Sequence, residues 1–423
     1  MSTNQADSTD STDRQPRLIA FYLPQFHPVP ENDEWWGRGF TEWRNVAKAK
    51  SLFPGHYQPH LPADLGFYDL RLPEVREAQA ELARQHGIHG FCYYHYWFNG
   101  RRILERPFNE VLESGKPDLP FCLCWANENW TRVWDGGERN ILLEQHYNHE
   151  DDLAHIRSLM PAFKDPRYIR IDGKPLFLVY RTELLPDPAK TAALWQAEAR
   201  QAGLPGLYLV RVENFVRDVD PGSIGFDAAV EFAPNSSKNR KALFRGRVTD
   251  LLGKLGLLPA VFRDSWIYSY PATAQSMLSK PEPHYRWFRC VSPMWDNSAR
   301  RSANANIFIG STPTIYKQWL SKTVARTRQR HSGDEQIVFI NAWNEWAEGC
   351  HLEPDQKWGR AYLEATRDAL TAVPTETAVS FAAKPNAPNP LKRFFWRLSA
   401  SLSEIRIIIA ALLWHLKHRL PPR

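Results

Sequence analysis

Ile337-Val-Phe-Ile-Asn-Ala-Trp-Asn-Glu-Trp-Ala-Glu-Gly-Cys-His-Leu-Glu353 is the stretch from which the fold can be read. It opens as an apolar, β-branched run without Gly or Pro, the pattern of a buried strand. It then turns polar and aromatic within a few residues. Glu345 and Glu348 stand three apart, with Trp343 and Trp346 interleaved and Gly349 behind. On one helical turn, residues three apart share a face with Cβ atoms about 5–6 Å apart. Retaining glycoside chemistry places its two carboxyls about 5–5.5 Å apart. Indoles beside a carboxyl exclude water and raise its pKa, and their flat faces suit sugar rings. Glu353, five residues beyond Glu348, falls off that face. The competing reading is a solvated turn whose indoles belong to the core, but a strand that ends in two carboxylates and two indoles rarely needs them for packing.

A buried strand ending in polar groups invites a search for others, and the chain supplies seven. Arg17–Leu23, His89–Tyr94, Leu119–Cys124, Pro175–Tyr180, Leu207–Val212, Ala228–Phe232 and Arg289–Ser292 read as strands ahead of Ile337–Asn341. Helical patterns alternate with them over Pro73–His86, Asp151–Phe163, Ala189–Ala202, Thr314–Arg330 (capped by Ser311 or Thr312) and Gly359–Leu370. A long aromatic loop holding Trp35, Trp36, Gly37, Phe40, Thr41, Glu42 and Trp43 follows the first strand, and residues 236–288 are basic and irregular, without an assignable pattern. Eight strands alternating with helices argue for an α/β chain folded as a (β/α)8 TIM barrel. A doubly wound sheet would show a Gly-rich phosphate turn after its first strand. Here that turn is Leu23-Pro-Gln-Phe-His27, with no glycine.

The expected organisation is a disordered leader at residues 1–16, the barrel over 17–373, a Pro-rich linker at 374–390 and a basic amphipathic helix over 391–423. The leader is rich in Ser, Thr, Asp and Gln and has no apolar core, so it is not a signal peptide. At 43% hydrophobic and 24% charged the chain has the composition of a globular protein. Its five Cys form no metal-type spacing and no disulfide framework, which points to a reducing, cytoplasmic compartment. Residues 391–423 hold seven Lys or Arg against one Glu, a formal +6 that equals the charge of the whole chain. The longest uncharged run there, Ile407–Trp414, is far short of the roughly 20 residues a membrane span needs. A basic helix with an apolar stripe reads as an in-plane anchor, so residues 391–420 are expected at the inner face of the plasma membrane. Docking on the barrel or on a second subunit is the alternative.

Barrel active sites are built at the C-terminal ends of the strands. Ten of the 17 Trp fall at those ends, Trp35 and Trp134 among them, whereas core packing would spread them over strands and helices. The candidate site therefore comprises Glu345 and Glu348 as catalytic groups, with Tyr22, His27, Trp36, Trp43, Tyr94, His95, Trp97, Trp125, Asn127, Glu128, Trp130, Glu231, Trp295, Asp296, Trp343 and Asn344 as substrate-binding groups. Flat apolar walls with amide and carboxylate groups fit an oligosaccharide or lipid-linked glycan better than a nucleotide, and no nucleic-acid partner is expected. There is no Gly-x-Ser-x-Gly elbow and no Walker loop. His27, His56, His60, His86, His89 and His95 are numerous in the first hundred residues, but none pairs with a nearby carboxylate in zinc-protease spacing, so neither a metal nor a cofactor is expected. Asp218-Val219-Asp220 has the Asp-x-Asp form of nucleotide-sugar transferases but precedes Pro221-Gly222 in what reads as a surface turn.

Five motifs in order resemble a known group. Phe21-Tyr-Leu-Pro-Gln-Phe-His-Pro28, Gly39-Phe-Thr-Glu-Trp43, Tyr93-Tyr-His-Tyr-Trp-Phe98, Trp125-Ala-Asn-Glu-Asn-Trp130 and Asn341-Ala-Trp-Asn-Glu-Trp-Ala-Glu-Gly349 are similar to the WbsX-type proteins of bacterial surface-polysaccharide clusters. That group carries the label glycosyltransferase and also resembles glycoside hydrolase family 99, the endo-α-mannosidases. The resemblance spans residues 17–372. It implies a retaining barrel enzyme acting on a glycosidic bond, with an α-mannoside as substrate, in surface-polysaccharide or lipopolysaccharide assembly. It also implies that Glu345 takes the proton of the substrate's 2-hydroxyl, which attacks the anomeric carbon. Glu348 then protonates the leaving oxygen and afterwards activates water or another sugar. A nucleotide-sugar-dependent transferase and a non-catalytic carbohydrate-binding barrel are the other two readings.

Overall fold

A computed structural model describes residues 15–132, 137–234, 242–301, 303–372 and 406–415 of the 423-residue chain. Eight parallel strands close on themselves: β1 (Arg17–Tyr22), β2 (Ile88–Phe98), β3 (Phe121–Trp125), β4 (Lys174–Val179), β5 (Tyr208–Glu213), β6 (Ala228–Glu231), β7 (Trp287–Val291) and β8 (Ile337–Ile340). Each pairs with the next, and β8 returns to β1 through Arg17↔Ile337 and Ala20↔Ile340. The barrel is the (β/α)8 architecture the strand count implies. Its strands carry continuous apolar runs because side chains on one face fill the barrel and those on the other meet helices, so both faces are dry. Every residue of β3, β5, β6, β7 and β8 is buried.

The outer helices start where capping chemistry allows. Asn148, Asp187 and Thr312 accept hydrogen bonds from Asp151, Lys190 and Ile315 and open His149–Lys164, Pro188–Gln201 and Pro313–Arg330. Proline at the first turn of the last two supplies a preset φ where no donor is needed. The expected aromatic loop contains two short helices, Pro30–Trp36 and Glu42–Lys48.

A second apolar core outside the barrel draws on the unassigned stretch 236–288 and on Ala305 and Ile307 beyond it. A strand at Trp266–Ser269 pairs in parallel with Asn306–Ile309, so its order depends on a partner 40 residues away. Phe53, Phe244, Leu258, Phe262, Ile267 and Ile307 pack together there. Residues 406–415 form a helix that places a fully buried Ala411, flanked by Ile407, Ile408 and Leu412, on this cluster. That part of the expected membrane helix is thus docked on the body of the protein, while Ile409 and Leu413 remain 50% and 64% exposed. Among the described residues no helix is long and apolar enough to cross a membrane. Residues 1–14, the linker at 374–390, 391–405 and 416–423 lie outside the described residues.

Candidate active site

The site begins where β8 ends. Trp343 N–H donates to Phe21 O at 2.8 Å, and Asn344 takes both backbone groups of Leu23, accepting at 2.7 Å and donating at 3.0 Å. These bonds fix the chain beyond β8 against the end of β1. Asn344–Glu345 then pairs antiparallel with Cys350–His351, and Trp346–Glu348 makes a 3-10 turn between them. The expected helical turn is therefore the tighter 3-10 form, in which residues three apart eclipse. Gly349 closes it at φ +54°, and a Cβ there would meet Asp296 O at 2.9 Å. The close approach lets Asp296 N–H donate to Glu348 O at 2.6 Å, so the loop after β7 braces the turn.

That loop also delivers Arg300, which sequence reasoning missed. Its guanidinium donates to Glu345 Oε2 at 2.9 Å and to Glu42 Oε2 at 3.2 Å, and reaches Glu348 Oε1 at 2.9 Å. One cation thus faces three carboxyls in a nearly dry place. Burial raises the Glu345 carboxyl to about 8, with Glu348 and Glu42 adding to the rise and Arg300 opposing it. Burial likewise raises Glu42, again against Arg300. Full ionisation would set three negative charges beside one cation out of water, so burial disfavours it. An acid–base pair needs one ionised and one protonated carboxyl; the raised group here is Glu345, so it becomes available as a base only as pH approaches about 8.

Glu345, Glu348 and Arg300 line a cavity of about 710 Å³. Trp35, Trp36, Trp130 and Trp295 form its indole surfaces, with Trp35 edge-on to Trp130 at 5.7 Å. Tyr94, Tyr96, Tyr180, Glu128, Asn129 and Asn214 add hydroxyl, carboxylate and amide groups. Burial holds the Tyr94 and Tyr96 phenols protonated, and the nearby Glu345 carboxylate reinforces this.

Of the residues expected to contact substrate, Trp36, Tyr94, Glu128, Trp130 and Trp295 line this cavity. The other eleven do not line it. Tyr22 is buried and donates to Gln79. Trp43 is buried and donates to Tyr68 O. His27 is buried beside the backbone of Pro24. His95 meets His155 at 3.0 Å, Trp97 donates to Asp151, and Trp125 packs on His155 and Trp195, all on the helix side of the barrel wall. Asn127 clamps the backbone of Arg181 through both N–H and C=O. Glu231 is buried against Lys280 and Arg289. Asp296 is bound by His56 at 2.6 Å and by Ser298 N–H. Trp343 is fully buried in the core, and Asn344 is the splice to β1 described above. Trp134 lies outside the described residues. Asp220 caps the turn at Gly222 and faces His284 on the surface, as that stretch suggested.

Comparison with known proteins agrees with this architecture. The Glycosyltransferase WbsX family matches residues 18–366. Two curated relatives, each an uncharacterized protein WxcX, come from Xanthomonas campestris pv. campestris strains B100 and ATCC 33913. Each is 46% identical over 357 residues, which is 84% of this chain. The chain spans about half the length of these relatives. Among solved structures, the GH99 endo-alpha-mannosidase from Bacteroides thetaiotaomicron superposes with a TM-score of 0.52 at 15% identity, covering 84% of this chain and 96% of that one. A glycoside hydrolase-like protein gives 0.51 at 13% identity, covering 88% and 98%. These two likenesses concern the fold, whereas the family match runs through all eight strands and the Glu345–Glu348 turn: the chain belongs to the WbsX glycosyltransferase family.

Proposed function

We propose that the chain is a retaining carbohydrate-active enzyme of bacterial surface-polysaccharide assembly, acting on a glycosidic bond. The observation that carries this reading is the Arg300 guanidinium shared by Glu345 and Glu348 on the floor of an indole-walled cavity. A carboxylate with a raised pKa is a stronger base than an ordinary one. Glu345, the deeper of the two, suits removal of a proton from a sugar hydroxyl. Glu348, whose side chain is 22% exposed, suits protonation of the leaving oxygen and later activation of water or an acceptor hydroxyl. In the proposed first step the 2-hydroxyl oxygen bonds to the anomeric carbon as its proton passes to Glu345. The glycosidic bond breaks, and its oxygen takes the proton of Glu348. Water opening the intermediate gives hydrolysis, and a sugar hydroxyl gives transfer. An α-mannoside is the proposed substrate, after the named activity of the structural neighbour.

The test is to incubate the purified chain with a panel of α-mannosides and lipid-linked oligosaccharides, then follow mass and anomeric configuration. Cleavage or elongation with retention supports the reading. Elongation only with a nucleotide sugar favours a nucleotide-sugar transferase, and bound but unchanged ligand favours a binding barrel. We further propose that the chain meets membrane through residues 391–420. The basic excess of that tail supports this, as do Ile409 and Leu413, which the docked face leaves exposed. Co-sedimentation with anionic vesicles that weakens in high salt is the expected result, and equal sedimentation with neutral vesicles would refute it.

A further inference from the structure

Behind the catalytic turn, His60, His351 and Asp355 meet in the interior, 3%, 1% and 2% exposed. His60 Nδ1 lies 2.9 Å from His351 Nε2. The outer nitrogen of each ring faces a backbone carbonyl: His60 Nε2 at 3.1 Å from Tyr57 O, and His351 Nδ1 at 2.9 Å from Glu353 O. A carbonyl only accepts, so each outer nitrogen carries the N–H. In the neutral rings both facing nitrogens are then bare lone pairs pointed at one another. Asp355 Oδ2 lies 3.8 Å from His351 Nε2 and is buried without a hydrogen-bond partner, while Oδ1 accepts from Lys357 and Trp358 N–H. All three donor atoms lie within 4.8 Å of one another.

Two neutral imidazoles so placed have no hydrogen to put into their 2.9 Å contact, and a buried carboxylate oxygen lies beside it. We infer that His60 Nδ1, His351 Nε2 and Asp355 Oδ2 bind a divalent transition ion of the zinc type. Imidazole with one carboxylate suits such an ion, and backbone carbonyls fixing the outer N–H groups are the usual support of ligating histidines. Two nitrogens on a tetrahedral zinc stand about 3.3 Å apart at normal bond lengths, so the imidazoles need open by only a few tenths of an ångström. The Tyr57 hydroxyl, on a ring stacked over His60, interacts with the Asp355 carboxylate and offers a fourth oxygen.

The role of the ion would be structural. Segments 61–63 and 354–356 already exchange backbone bonds, Ala63 N to Pro354 O at 2.9 Å and Gln356 N to Leu61 O at 2.9 Å. The ion would lock that seam through side chains. His351 also stacks on Trp346 at 3.8 Å, which links the seam to the turn holding Glu345 and Glu348. No local spacing announces the site, since His60 and His351 are 291 residues apart, so the expectation of no metal followed from reading neighbours only.

The experiment uses untagged full-length protein. Metal content is measured after purification without chelator, and zinc and cobalt are then titrated into chelator-stripped protein while Tm and the cobalt visible spectrum are followed. The expected result is about one tightly held equivalent, a Tm raised by roughly 5 °C or more on zinc addition, and an intense low-coordinate cobalt spectrum. His60→Gln and Asp355→Asn should each weaken zinc at least about tenfold. If either variant fails to fold, the wild-type stoichiometry and spectrum decide. Stripped wild type that takes up no zinc and shows no Tm shift would overturn the proposal, leaving a proton shared by two imidazoles. Unchanged zinc binding in folded His60→Gln would overturn it as well.

Discussion

Arg300 Nη2 lies 2.9 Å from Glu345 Oε2, and the same guanidinium reaches Glu348 and Glu42. A flat fork of donors holds several carboxyls at fixed angles, which a lysine ammonium does not do. The cation also sets how protons divide among the three acids. Geometry and protonation of the site therefore depend on one residue that neither carboxylate motif contains.

The carboxylates themselves come first. Glu345→Gln and Glu348→Gln should each lower kcat by about two to four decades, as loss of a proton-transfer group does, with Tm near that of wild type. Glu77, on the exposed face of the helix Pro73–Gln85, is the control, and its Gln variant should be silent. Full turnover in either active-site variant would eliminate the proposed mechanism.

Arg300→Lys should fold and lose about tenfold to a hundredfold in kcat/KM. The pH profile is the sharper readout. Arg300 lowers the pKa of Glu345, so weakening it raises the carboxyl further and moves the acid limb of kcat/KM to higher pH. In wild type that limb should already lie above the ordinary carboxylate range. An acid limb near pH 4, or one that shifts downward in the variant, contradicts the assignment.

The barrel was legible because most of its strands hold a short apolar run whose type is decided locally, from Leu18–Tyr22 to Ile337–Ile340. The site was legible only to the nearest strand end. Along β2, Tyr94 and Tyr96 face the cavity while His95 and Trp97 turn to His155 and Asp151 on the helix layer. A two-residue period separates these pairs, and composition does not say which pair points inward. Arg300 carried no local signal at all. Its meaning comes from carboxylates at 42, 345 and 348 that only the closed barrel brings together.

Glu353 shows the same limit from another side. By spacing it falls off the Glu345–Glu348 face and would serve as a silent control. In the structure it is 2% exposed and accepts from Trp346 at 2.6 Å, Gln79 at 2.6 Å and Tyr68 at 2.8 Å. Gln79 in turn accepts from Tyr22. Glu353→Gln sets an amide N–H₂ against the Gln79 donor and should cost about 1–3 kcal/mol. Burial raises the Glu353 carboxyl to about 7. The folded state then holds its proton more tightly than the unfolded chain between about pH 4.5 and 7. Its stabilising contribution is complete at low pH and lost as pH rises through that window. Wild-type Tm should carry this fall, and the Glu353→Gln variant should show a flatter profile. A variant with unchanged Tm and unchanged slope would refute the buried network.

The last prediction concerns the tail. A chain ending at Asn389 removes the helix 406–415 and uncovers the cluster of Phe53, Phe262 and Ile267. Burying a large apolar side chain fully is worth about 1.5–3 kcal/mol, and Ile407, Ile408 and Leu412 are each part-buried. A combined loss of about 3 kcal/mol lowers Tm by roughly 5 °C in a chain of this size. The Glu345–Glu348 turn is attached to β8 and β1 rather than to this cluster, so turnover on soluble substrate should persist below the new Tm. Ala411→Glu is the sharper test, because it forces a charge into a fully buried position without shortening the basic tail. That variant should lose the same stability and keep the proposed vesicle binding, since the Lys and Arg residues and exposed Ile409 and Leu413 are unchanged in it. A truncated chain with undiminished Tm would show that the helix is not docked in solution. Loss of vesicle binding in folded Ala411→Glu would show that docking and membrane contact depend on one another.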